Sequence, residues 1–196
     1  PRLENHGRRK RPAKRRGGCV MSEKRFNASR IAATAVLSAA ALAVFVVEGL
    51  FPPLILPGAK MGLSNIFVLL ALVCLGTGHA FAVLAVKIIL GNLFAGGFSS
   101  LMYSLPAGVV SLTVMSLLFL GGKNRFGIVA LSVAGAVTHN VVQNIVYALV
   151  TETTAILSLL PYLALIGVLS GVIVGAAAFG AIKLVPATEW EKLLGG

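Results

Sequence analysis

Apolar runs long enough to cross a bilayer, separated by short stretches of glycine, proline and charge, govern what this chain can fold into. Between Ile31 and Leu50 the only charge is Glu48. A run of this length matches a hydrocarbon core of roughly 30 Å when coiled as a helix. In lipid the backbone N–H and C=O groups have no water to bond, so each run must satisfy its own as a helix or join a closed barrel. Runs this long and this evenly apolar are helices. The composition agrees, with 57% hydrophobic and 12% charged residues and a mean hydropathy of +0.92. Such values belong to a polytopic membrane protein and exclude a soluble globular enzyme. The first run is no signal peptide, since its apolar part is too long, no small-residue cleavage site follows, and further runs come after it.

Taken in order, the remaining runs read as a second span leading from Ala59-Lys60 to about Gly76, a third from Ala80 to Ala95, and a fourth from Leu101 to Leu120. The fifth covers Phe126 to Val150 and the sixth Ala155 to about Lys183. The expectation is an all-α integral membrane protein, a six-helix bundle over residues 31–183 flanked by a basic tail (1–30) and a short carboxy-terminal tail (184–196). Phe51-Pro52-Pro53-Leu54-Ile55-Leu56-Pro57-Gly58 breaks the first helix with three prolines and a glycine, and so apolar a loop is expected to fold back over the bundle. Lys24, Arg25 and Arg30, then Lys123 and Arg125, then Lys183 and Lys192 fall on one side if both termini are cytoplasmic, with Lys60 and Glu152 on the other. The excess of Lys and Arg inside predicts that orientation in a bacterial cell membrane.

The formal charge of +11 is unevenly spread. Residues 1–20 hold eight Lys/Arg against one Glu, including Arg8-Arg9-Lys10-Arg11. A tail like this can bind nucleic acid or anionic lipid. The favoured reading is translated leader: Gly17-Gly18 can be encoded by a ribosome-binding sequence, and Met21-Ser22-Glu23-Lys24-Arg25 resembles a natural start. No nucleic-acid partner is expected. Cys19 and Cys74 lie far apart and outside any CxxC or Cys/His spacing, which gives no support to zinc or a disulfide framework.

The polar residues inside the apolar runs are the candidate site. In Thr138-His139-Asn140-Val141-Val142-Gln143-Asn144-Ile145-Val146-Tyr147, His139, Gln143 and Tyr147 follow at four-residue steps, with Asn140 and Asn144 in the adjoining row. Such a stripe must face other helices or a cavity, as interhelical hydrogen-bonding glue or as a ligand-binding face. At about 1.5 Å per residue, Lys87 lies about 12 Å from the inner surface, Asn92 and His139 about 18 Å and Asn144 about 25 Å, whereas Asn65 lies about 6 Å below the outer surface. Apart from Lys87, these groups gather between the midplane and the outer face. Lys87 either snorkels to the inner surface, pairs with Glu48, or neutralises an anionic group on a ligand. His79, in Gly76-Thr77-Gly78-His79, reads as an interfacial turn residue. Ala35, Ala39 and Ala43 make a flat face on the first helix, suited either to packing within the bundle or to a partner helix, and Gly167, Gly171 and Gly175 make another on the last.

Catalytic chemistry is not expected. There is no GxSxG, GxxxxGK[ST] or HExxH pattern, and the six acidic residues are all glutamates, so aspartate-based metal chemistry is excluded. No cofactor or metal is called for.

Three blocks carry a resemblance: Leu56-Pro57-Gly58-Ala59-Lys60-Met61-Gly62-Leu63-Ser64-Asn65, Lys87-Ile88-Ile89-Leu90-Gly91-Asn92-Leu93, and Gly135-Ala136-Val137-Thr138-His139-Asn140-Val141-Val142-Gln143. They resemble the Gx transporter family, often labelled heptaprenyl diphosphate synthase component I, with the likeness running from Ile31 to Lys183. That family is similar to the substrate-binding S components of energy-coupling factor (ECF) transporters. The resemblance implies six helices and an extracytoplasmic-side pocket closed by the first loop. It also implies a small-residue face on the first helix, here Ala35, Ala39 and Ala43, that docks on a coupling transmembrane protein with its ATPases. The substrate residues would be Lys60, Asn65, Lys87, Asn92, His139, Asn140, Gln143, Asn144 and Tyr147. The synthase label implies at most an accessory membrane subunit, because soluble prenyl diphosphate synthases hold magnesium diphosphates on Asp-rich motifs and this chain has no Asp. Members also resemble membrane components of flavin- or quinone-linked electron-transfer systems. If residues 1–20 are leader, mass spectrometry of the protein from its native cells will find an amino-terminal peptide beginning at Met21 or Ser22, and a peptide containing Arg2 will refute it.

Overall fold

Six α-helices follow one another along the chain in a computed structural model that describes residues 28–50, 62–122 and 126–184. The first loop with Lys60, the Lys123-Arg125 loop, both tails and their proposed boundaries lie outside the described residues. Helix α1 (Ala28–Leu50) is an alanine-rich run of strong helix formers. Helix α2 (Asn65–Cys74) is followed by α3 (Thr77–Gly91), which continues through a π-helical turn, Asn92–Gly96. Helices α4 (Gly97–Gly121) and α5 (Ile128–Val150) come next, and a 3-10 turn at Thr154–Leu159 leads into α6 (Leu160–Leu184). Pro161 occupies the first turn of α6, where its missing N–H has no intrahelical partner to lose.

Five segments are long and apolar enough to cross a membrane, and the protein is a multi-pass membrane protein. The second expected span is different. Helix α2 has ten residues, about 15 Å, or half the hydrocarbon thickness. Val68 to Cys74 are all buried. An apolar helix without a polar face suits lipid or the centre of a bundle equally well, and here it is the centre. Around it pack Ala41 of α1, Val83, Leu84 and Ile88 of α3, Leu112 and Met115 of α4, Leu131 of α5 and Ala178 of α6. The α2–α3 connection is only Leu75-Gly76, possible because Gly76 adopts φ +100°, where a side chain would be strained. Since α3 starts at Thr77, His79 is a helical residue and no turn residue. Its Nδ1 lies 2.8 Å from Thr34 Oγ1, tying α3 to the start of α1.

Helices α5 and α6 touch backbone to backbone along the glycine ridge. A Cβ on Gly167, Gly171 or Gly175 would meet the α5 main chain at 3.0 Å (Val137 Cα), 2.6 Å (Val133 Cα) and 2.7 Å (Val129 Cα) respectively. Close contact of this kind holds helices together in lipid, where burying apolar surface provides little drive. On α1, Ser38, Ala41 and Phe45 point inward while Ala35, Ala39 and Ala43 are exposed. The alanine face therefore does not pack within the bundle.

Gly171→Ala is expected to destabilise the protein by about 1–3 kcal/mol because neighbouring backbone must move. Gly180→Ala, where nothing lies within 4 Å of the new methyl, should be neutral or stabilising by under about 1 kcal/mol. Thermal exposure of the buried Cys74 thiol to a maleimide dye, in a Cys19→Ser background, measures both.

Candidate functional site

Space remains beside the first turns of the short central helix. A cavity of about 80 Å³ opens there, lined by side chains from all six helices. It has room for several waters or a small ligand. Phe45 and Glu48 from the last turns of α1 and Gly62 and Ser64 ahead of α2 border it, so it lies at the end where the 51–61 connection joins α1 to α2.

Glu48 holds this end together. Its carboxylate accepts hydrogen bonds from the backbone N–H groups of Leu63 (2.7 Å) and Ser64 (3.2 Å). These precede the first turn of α2, where unpaired N–H groups and the helix dipole favour an anion. Ser64 makes no side-chain cap of its own. A residue on α1 therefore performs the capping.

Lys87 of α3 is 5% exposed. Its ammonium donates to Asn65 Oδ1 on α2 and lies 5.8 Å from the centre of the Phe45 ring on α1, within cation–π range. The snorkelling geometry considered from sequence is not adopted: the stem runs into the cavity wall, and Lys87 and Asn65 form one polar unit within the lining.

Helix α5 supplies the facing wall with Ser132, Gly135, Ala136, His139, Asn140 and Gln143. The expected stripe lines the cavity over its first turn and leaves it afterwards. Each four-residue step advances about 40° around a helix, whereas steps alternating between three and four stay nearly aligned. The cavity face accordingly runs Ser132, Ala136, His139, Gln143. Asn144 is rotated off it and buried, and Tyr147 sits a turn beyond its end, edge-on to Tyr103 of α4 with ring centres 5.3 Å apart. Thr138 faces away and bonds back to Ala134 O at 2.7 Å.

Of the nine substrate residues expected from sequence, the cavity gathers Asn65, Lys87, His139, Asn140 and Gln143. Asn92 and Asn144 are buried but absent from the lining. Asn92 Nδ2 donates to Ile88 O at 2.7 Å, stabilising the α3 to π-turn junction, and the Oδ1 atoms of both asparagines have no donor among the described residues. Tyr147 is absent from it too, and Lys60 lies outside the described residues. Asn140 is partly structural, its Nδ2 donating to Leu163 O of α6 at 3.0 Å. Sequence reasoning missed the serines: Ser104 and Ser111 on α4, Ser132 on α5 and Ser170 on α6 all line the cavity. The available signal was the set Ser104, Gly108, Ser111, Met115, small and polar residues at alternating four- and three-residue steps on one face.

A family model described as heptaprenyl diphosphate synthase component I matches residues 37–180, which include every residue lining the cavity. Neither the curated proteins nor the solved structures contain a match.

Glu48→Ala should remove both capping bonds and cost about 1–3 kcal/mol, and Glu48→Gln, which keeps an acceptor without the charge, less than half of that. The Cys74 exposure assay reads the difference.

Proposed function

The chain belongs to the heptaprenyl diphosphate synthase component I family, and from that premise we propose that it is the substrate-binding membrane subunit of an ECF-type importer. One observation carries this reading: a cavity lined by Lys87, Asn65, His139, Asn140, Gln143 and five serines lies inside a largely apolar bundle, at the end where α1 meets α2. Hydrogen-bonding glue needs pairs of polar groups in contact and leaves no space between them. A bundle that keeps so many polar groups around a void is built to take up a polar molecule.

In this reading the protein sits in the bacterial cell membrane with both termini cytoplasmic, and the cavity faces the outside. The small molecule enters from there. The chain has no nucleotide-binding motif, so ATP hydrolysis belongs to partner ATPases acting through a coupling transmembrane protein. The outward-facing Ala35, Ala39 and Ala43 support a docking role for α1, since small residues let a second helix approach closely. The protein itself is no enzyme and uses no cofactor.

A second reading is favoured by the family description: a non-catalytic membrane subunit of a prenyl diphosphate, quinone or flavin-linked system. The lack of any Asp keeps that role an accessory one. The two readings separate in a mild-detergent pull-down from native membranes, with mass spectrometry of the proteins and small molecules retained. The importer reading expects a coupling protein with paired ATPases, and recovery of prenyl, quinone or flavin enzymes without ATPases would transfer support to the second. Gln143→Ala, which removes a cavity side chain without touching the glycine ridge, should still recover the partners while retaining the small molecule about tenfold less well, the loss of roughly one hydrogen bond.

A further inference from the structure

Three long side chains that border the cavity each sit on a glycine of the next helix. A Cβ on Gly91 of α3 would meet the Phe45 ring of α1 at 2.7 Å (Cε1), and one on Gly108 of α4 would meet Ile88 Cδ1 of α3 at 2.5 Å. On Gly135 of α5 it would meet the Met115 side chain of α4, with Cγ at 2.8 Å. Phe45, Ile88 and Met115 all line the cavity. Each glycine lets the side chain above it draw back against the neighbouring backbone, so the glycines help to set the width of the space left over.

The three stand at different depths. A Cβ on Gly49, beside Glu48, would meet Ala95 Cβ at 3.0 Å, so α4, which follows Ala95, starts at the rim. From Ser104 to Met115 the lining then descends about 16 Å along α4. Helix α5 climbs back, from Ser132 to Gln143. The charged, amide and imidazole groups of the lining, Glu48, Asn65, Lys87, His139, Asn140 and Gln143, all lie on the rim side of Gly135. At the depth of Met115 the lining is Leu112, Ser132, Gly135 and Val174. The nearby hydroxyls of Ser111 and Ser170 donate to Gly135 O (2.7 Å) and Gly167 O (3.3 Å).

We infer that the ligand is a small amphiphile, its polar end towards the rim and a slim apolar end directed at Met115, whose seat on Gly135 fixes how long that apolar end can be. This deepens the substrate-binding reading above and rests on it. A strongly polar group carried to this depth would exchange water for thioether and branched aliphatic carbon with few partners, and that cost selects against it. An apolar end that is too long would have to push Met115 into a core that includes Leu112 and Leu131, where overpacking is unfavourable.

The test titrates the full chain in nanodiscs with straight-chain primary amides from acetamide to decanamide, subtracting the heat taken up by protein-free nanodiscs. A carboxamide both donates and accepts, so its head suits either kind of partner at the rim. Each added methylene should tighten binding about fourfold until the chain reaches Met115, where the gain stops. Met115→Ala should extend that limiting length by about two methylenes, into the space the side chain leaves. Gly135→Ala, whose methyl turns the flexible thioether towards the cavity, should shorten it by about one. Where the alanine variant does not insert, Met115→Val should give a smaller shift in the same direction, and Gly180→Ala should leave the limit in place. A limiting length unmoved by the Met115 and Gly135 changes, or binding that weakens with each methylene, overturns the inference and leaves substrate binding standing. No binding by any amide overturns the inference, and the pull-down then decides the substrate-binding reading by itself.

Discussion

Everything in this bundle follows from a central helix that is too short. Five helices span the length of a bilayer, but α2 has only ten residues and is enclosed by the others. Its first turn starts beside Glu48, near the end of α1, and the cavity lies alongside it, lined by Asn65, Val68 and Leu69. The cavity is lined with side chains, and at its rim Glu48 accepts from the N–H groups that open α2. One carboxylate thereby sets the depth of α2 and the floor plan of the cavity.

Two kinds of contact oppose each other across that space. Between α5 and α6 the chain approaches as closely as main-chain atoms allow, along Gly167, Gly171 and Gly175. Around α2 the contacts are between bulky apolar side chains such as Leu69, Leu72 and Leu112. The glycine ridge makes a rigid pair from α5 and α6, and Ser111 ties α4 to α5 through Gly135 O. The wall carried by α4, α5 and α6 is therefore the stiff one. The Lys87 side is held in part by the Asn65 amide, the Phe45 ring and the placement of a short helix.

Much of this was legible in the sequence. The six helices, the glycine ridge and the gathering of five polar residues around one cavity follow from apolar run length and from polar residues that lipid will not accept. The unread parts have specific physical causes. Helix α2 is apolar on every side, and such a run looks the same whether lipid or protein surrounds it, so its short extent and central place were invisible. Four-residue steps were followed too far along α5, which carried Asn144 and Tyr147 into the expected site although a helix turns them off its face or past its end. The serines were passed over because a single hydroxyl in a membrane helix can satisfy itself on its own backbone, as Thr113 does on Val109 O at 2.8 Å. What distinguishes Ser111 is that its acceptor belongs to the next helix.

That distinction bears on how structure and binding share the same atoms. Ser111 and Asn140 each join two helices through a donated proton and line the cavity as well. A group of this kind is held in place before any ligand arrives, so binding has little side-chain entropy left to remove. The lone pairs it turns inward are then preorganised acceptors in a medium of low dielectric, where a missing donor is costly and a matching one correspondingly selective. A cavity lined by loose polar side chains would adapt to many molecules. A group already fixed as an interhelical tie, as Ser111 and Asn140 are, instead discriminates by hydrogen-bond direction, set by the proton it has given away.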